Sequence, residues 1–189
     1  ENKKFLQGQV TCDMEIPNPT NQYLGAHCTP KGRVVFVFTG YCLSNGDIIL
    51  ETHPTVTSLG VDNLIKYSPF FKTEITDVSS ELQNFILMGT EVSKILSQRV
   101  KNSALKNGTQ NKDPLLNLRY VGRDIYSVTC DKSATEDMKS VFGVFTPVGE
   151  QLGDLMMLRT GFSDVTDRTA DTFIPQMLNL DFLNYISFK

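Results

Sequence analysis

Imidazole chemistry in this chain has two possible sources, His27 and His53, because no other histidine is present. A nucleophile and base pair would join one of them to Cys28 or Cys42, with a third group orienting the base. His53 stands close in sequence to Asp47 and Glu51. A hydrolase-like site built on His53 with one of those carboxylates is the alternative, enzymatic reading, with its other residues dispersed. Ser103-Ala104-Leu105-Lys106 matches S-x-x-K, in which the lysine would activate the serine, but the companion K-T-G is absent. No G-x-S-x-G elbow occurs.

Metal and phosphate chemistry find equally little. Zinc would have to use Cys12, Cys28, Cys42 and a histidine, yet structural sites usually draw paired ligands from one short loop, and these are widely spaced. Asp164, Asp167 and Asp171 are the clustered carboxylates; they would share one helix face but lack the alternating pattern and glycine of a calcium loop. Gly143 and Gly149 are too far apart for a phosphate loop, and no G-K-[ST] follows. Neither a metal nor a cofactor is expected. Arg119, Tyr120, Arg123 and Tyr126 mix cations with aromatic rings as single-strand stacking platforms do, although core and hairpin roles serve both tyrosines as well.

Charge is the more informative pattern. The net charge is −3 and the pI is about 5.4, which argues against a dedicated nucleic-acid binder. From Val92 to Arg123, however, Lys94, Arg99, Lys101, Lys106, Lys112, Arg119 and Arg123 face only Asp113. Acidic stretches flank this block over 44–91 and 131–181. A solvated face produces such blocks on its own. As a binding surface, the block Lys94, Arg99, Lys101, Lys106, Arg119 and Arg123 would meet an acidic protein partner, and a second copy of the chain is one candidate.

Four cysteines, Cys12, Cys28, Cys42 and Cys130, make an even count that suits disulfides. A bridge closing the loop between Cys12 and Cys28 would stabilise the fold by about 3 kcal/mol. Asn107-Gly108-Thr109 is a glycan acceptor triplet if the protein is exported. A first residue of Glu1 points to a removed leader or a fragment. The longest apolar run, Val34 to Phe38, is too short for a membrane span.

The elements that must position these residues follow from periodicity. Gly8 to Ile16 alternates as a half-buried strand, and 17–32 is dense in turn residues and reads as a long loop. Asn45-Gly46 between two apolar runs predicts a hairpin over 33–50. The spacing of Val78, Leu82, Phe85, Ile86, Val92, Leu96 and Val100 predicts one long amphipathic helix over 77–101. Residues 102–114 carry almost nothing apolar and are expected to be a mobile, protease-sensitive loop. Strand, turn and strand follow over 118–130, then a helix from Ser133 or Thr135, a strand over 154–159, and a tail that alternates over 178–188, although a helix starting at Pro175 fits it nearly as well.

These readings converge on a single α+β domain over 1–189, with an antiparallel sheet and one long helix on its face. The length of 189 residues buries about 70% of the unfolded surface, enough to fold without a metal or cofactor. The functional expectation is a secreted, periplasmic or surface-exposed module without catalytic activity, disulfide-bonded, with a structural or assembly role through a protein partner. No nucleic-acid partner and no membrane span are expected.

Overall fold

A computed structural model describes residues 1–16, 22–100 and 115–188. The architecture is α+β, carried by two antiparallel three-stranded sheets. Two compact units result, one formed by Glu1–Asp77 with Ser163–Lys189 and the other by Val78–Phe162.

In the first unit, helix α1 (Asn2–Gln7) buries Phe5 and Leu6. Strands β1 (Gln22–Cys28), β2 (Val34–Cys42) and β3 (Ile48–Glu51) follow, with β2 in the centre. β2 is buried along almost its whole length, which is why Val34 to Phe38 is continuously apolar rather than alternating. The hairpin expected at Asn45-Gly46 is present, pairing Cys42 with Ile48. Of the two turn residues only Gly46 has a positive φ. Asn45 instead accepts from the Asp47 backbone N–H through its side-chain oxygen at 3.0 Å, the local bond that makes asparagine a turn residue. Helix α2 (Thr57–Ile65) lies over β2, with Gly60 against the ring of Phe36. The returning segment 163–189 is tied in by backbone bonds, from Val34 to Phe173, Asp171 to Val34, and Ser187 to Thr11.

Two expectations change here. Residues 17–32 are not one loop, because β1 occupies 22–28; positions 17–21 lie outside the described residues. The stretch 8–16 is not a ladder strand but contributes a single bridge, Val10 to His27. It lies against the sheet because residue 25 is glycine. A Cβ there would stand 2.8 Å from Cys12 Sγ and 2.9 Å from Phe38 Cζ, closer than unbonded atoms approach.

The second unit is built on β4 (Leu82–Met88), helix α3 (Val92–Val100), β5 (Leu115–Gly122), β6 (Ile125–Asp131), helix α4 (Thr135–Phe142) and helix α5 (Glu150–Arg159). The strand order is β4-β6-β5. One face of this sheet packs Phe85, Leu87, Leu118, Tyr126 and Val128 against Val92 and Leu96 of α3 and Phe142 of α4.

The single helix expected over 77–101 is therefore two elements. Its apolar spacing mixes a strand period, Phe85 and Leu87 on one face, with a helix period, Val92 and Leu96. Gly89 at φ +132 separates them, a backbone conformation that only glycine adopts without strain. The expected strand over 154–159 is instead part of α5. The strand-turn-strand over 118–130 and the helix from Thr135 are both present. The tail is neither an alternating strand nor a long helix. It turns at Asn179 and Asn184, both at positive φ, burying Leu180 and Tyr185 while Phe182 and Phe188 stay exposed.

Candidate functional site

The first unit keeps its reactive side chains in structural work. His27 is buried, stacks on Phe36 and stands 2.7 Å from the Gln9 carbonyl through Nδ1. A carbonyl only accepts, so Nδ1 carries the proton. Burial holds this imidazole below its ordinary value; the Gln9 bond opposes the shift and Lys66 adds to it. His53 is used differently. Its Nδ1 accepts from the Thr55 backbone N–H at 3.3 Å and lies 2.9 Å from the Thr55 hydroxyl, capping the short helical turn at Pro54–Val56. Asp47 takes the Asn45 side-chain amide at 2.7 Å, and Glu51 acts electrostatically on the buried Tyr41 phenol. Burial foremost, with that carboxylate, pushes the phenol upward. His53, Asp47 and Glu51 are thus each engaged with partners of their own.

All four cysteines are free thiols. Cys12 and Cys130 are buried, and Cys12 Sγ stands 3.7 Å from Met14 Sδ. Burial pushes both Cys12 and Cys28 up to about 11. The disulfide expectation for Cys12, Cys28, Cys42 and Cys130 is corrected accordingly. An even count misled because a free cysteine also serves as a small core hydrophobe. Asp164 lies in irregular chain and Asp167 and Asp171 in turns rather than on one helix face, and no cluster of three potential metal ligands stands among the described residues.

The second unit brings part of the basic block together with aromatic rings. Tyr120 pairs with Tyr126 across β5 and β6, ring centroids 5.1 Å apart. Tyr126 packs against the unit's core, whereas Tyr120 on the same face is 58% exposed. Arg123 and Asp124 form the tip of the hairpin, both at positive φ. The Asp124 carbonyl accepts from the Gly89 N–H at 3.0 Å, which fixes the tip beside the start of α3. On α3, Lys94 is exposed and 3.3 Å from Glu91. Arg119 pairs with Ser127 and so takes the opposite sheet face, where its guanidinium lies 5.4 Å from the ring centre of Phe162. On that face Asn84 donates to Ser127 at 2.9 Å and Thr129 at 2.8 Å, joining β4 to β6.

Of the basic residues singled out from the sequence, Lys94 and Arg123 thus lie near one end of the second sheet and Arg119 faces away. Arg99 belongs to α3, with its side chain outside the described residues, as are Lys101 and Lys106 altogether. The loop expected over 102–114, the S-x-x-K stretch and the glycan triplet also lie there. Sequence reasoning missed Phe162 as the aromatic partner of Arg119 and the Asn84 bridge. Both join residues about forty or more positions apart, and nothing local announces them.

No family model matches the chain. Curated proteins do match it. The chain is 30% identical over 199 residues to the tRNA-modifying protein YgfZ of Colwellia psychrerythraea, covering 100% of this chain and 58% of that protein. This chain is similar to tRNA-modifying proteins. It is also 28% identical to the protein of that name from Hamiltonella defensa, over 98% of this chain and 56% of the relative. For the Aliivibrio fischeri protein the identity is 26%, over 100% of this chain and 57% of the relative. The chain spans a little over half the length of these relatives.

These matches overturn the reading of the chain as a non-catalytic binding or assembly module acting outside the cytoplasm. The secreted, periplasmic or surface-exposed location falls with it, since it rested on the cysteine count and on missing catalytic signatures. The relatives are named for tRNA modification and the four thiols are free. Among the described residues no helix is long and apolar enough to cross a membrane.

Proposed function

We propose that this chain is the tRNA-handling part of a tRNA-modifying protein. The observation that carries this reading is the extent of the similarity, which runs over 98–100% of the chain in relatives named for tRNA modification. A likeness confined to one motif would support a shared element only. The chain spans a little over half of those relatives; its basic stretch from Lys94 to Arg123 and the exposed Tyr120 support contact with tRNA as its part. Such a partner places its work inside the cell.

This reading sets aside the argument from net charge. The value of −3 describes the whole chain, while a phosphate backbone responds to the local field. The stretch from Lys94 to Arg123 carries seven cations against Asp113.

The test compares tRNA from cells with and without the protein that contains this chain, digested to nucleosides and separated by liquid chromatography with mass detection. At least one modified nucleoside should fall in its absence and return with the wild-type gene. Identical nucleoside profiles would sink the reading.

A further inference from the structure

The geometry points to the exposed ring of Tyr120, at the turn end of the β5–β6 hairpin, as a stacking site for an unpaired nucleobase of RNA, with Arg123 at the adjoining phosphate. The inference rests on the reading of this chain as a tRNA-handling part and names the contact itself.

Tyr120 lies on the apolar face of its sheet, where Leu118, Tyr126 and Val128 pack into the core. It alone of these is largely exposed, at 58%. Burial of its own ring therefore does not explain an aromatic residue here. Its ring is nonetheless braced, because Tyr126, packed against the core, lies beside it with centroids 5.1 Å apart and planes tilted by 55°. A ring already braced by a neighbour loses little freedom when a base covers its exposed surface, and such stacking is indifferent to base identity.

The hairpin tip adds the charge. Arg123 occupies φ +50 beside Asp124 at φ +58, and the Gly89 to Asp124 backbone bond holds this turn against the start of α3. Lys94 extends the positive charge along α3. Two carboxylates, Glu91 and Asp124, share this end, so charge alone does not make the site and the stack has to supply the specific contact. A paired stem buries its base faces within the helix and cannot offer one to Tyr120. The ligand class is a single-stranded loop or end of a tRNA.

The experiment measures fluorescence anisotropy of the full-length protein with labelled single-stranded oligouridine and oligoadenosine of about eight nucleotides, an RNA duplex and unmodified tRNA. Wild type is expected to bind both oligonucleotides and tRNA, and the duplex more weakly. Tyr120→Ala should weaken single-strand and tRNA binding about 10-fold, the effect of one lost base stack, while Tyr120→Phe retains it. Arg123→Ala should lower the slope of log affinity against log salt by about one. Equal thermal midpoints in the variants confirm that the fold is intact.

Unchanged affinity in Tyr120→Ala, or a duplex bound as tightly as a single strand, overturns the site. So does salt-sensitive self-association that Arg123→Ala abolishes while RNA binding is unaffected, because the surface then belongs to a second copy. If tRNA binds equally well to wild type and Tyr120→Ala and the cellular nucleoside profile depends on the protein, the site is wrong and the tRNA reading stands. If the RNAs bind as expected and the profile is independent of the protein, the stacking site stands and the tRNA-modification reading fails.

Discussion

His27 and Phe36 stack across the β1–β2 ladder, with ring centroids 5.3 Å apart and planes tilted by 23°. The pair belongs to the packing that buries His27. Burial, opposed by the Gln9 carbonyl and aided by Lys66, holds the imidazole below its ordinary 6.5. The unfolded chain therefore takes up this proton at a higher pH than the folded one. Its contribution to stability is complete above about pH 6.5 and declines as pH falls from there through the folded value. Thermal unfolding followed from pH 7.5 to 5.5 should show a falling midpoint in wild type. His27→Gln can still donate to Gln9 but does not titrate, so its profile should be flatter. Parallel profiles would mean that other groups set the dependence.

Gly25 is predicted to be intolerant of any side chain. A Cβ would meet both Cys12 Sγ and Phe38 Cζ at under 3.0 Å, so Gly25→Ala must displace β1 or the 8–16 segment. The expected loss is about 1–3 kcal/mol, the usual range for overpacking a core, read as a shift in the urea midpoint. Adding Cys12→Ala should recover part of it, since one of the two clashes is then gone. No recovery would place the strain at Phe38.

What the sequence disclosed and what it hid divide along a physical line. The β2–β3 hairpin and the β5–β6 pair were legible because Asn45-Gly46 and the flanking apolar runs state a local preference. The β4–α3 break was not, because Phe85 and Leu87 at period two run into Val92 and Leu96 at period four and together imitate one helical stripe. Gly89, at φ +132, is the local signal for that break, but a lone glycine inside an apolar stripe does not by itself mark a boundary. β1 was hidden by Gly25 and His27, residues kept for close approach and stacking rather than for strand propensity. At the candidate site, Tyr120, Tyr126 and Arg123 were visible as a mixture of types. Which face each takes depended on the register, and that register sends Arg119 to the other side.

The thiols give a third prediction. All four are free, and burial holds Cys12 and Cys28 at about 11, so little reactive thiolate exists near pH 8. Iodoacetamide at pH 8 should modify the native protein slowly at these two positions and reach four adducts only after unfolding, with no reductant added. A mass showing fewer than four adducts in denaturant would restore a disulfide.

The last prediction concerns the hairpin tip. Arg123 and Asp124 both hold left-handed backbone conformations, φ +50 and +58, where a two-residue turn favours Asn-Gly. Left-handed geometry costs an ordinary L-residue about 1 kcal/mol or more, part of which glycine gives back by loosening the unfolded chain. Arg123→Asn with Asp124→Gly should therefore raise stability by about 1 kcal/mol, seen as a thermal midpoint several degrees higher. The Gly89 bond would survive, because it uses the backbone carbonyl of residue 124. The same double variant lacks the Arg123 guanidinium, so it should bind single-stranded RNA less tightly while being the more stable protein. Strain kept where it serves binding rather than folding has that signature. A variant that is no more stable than wild type would instead show that the surrounding contacts relieve the turn, and the choice of arginine at the tip would then carry no strain to explain.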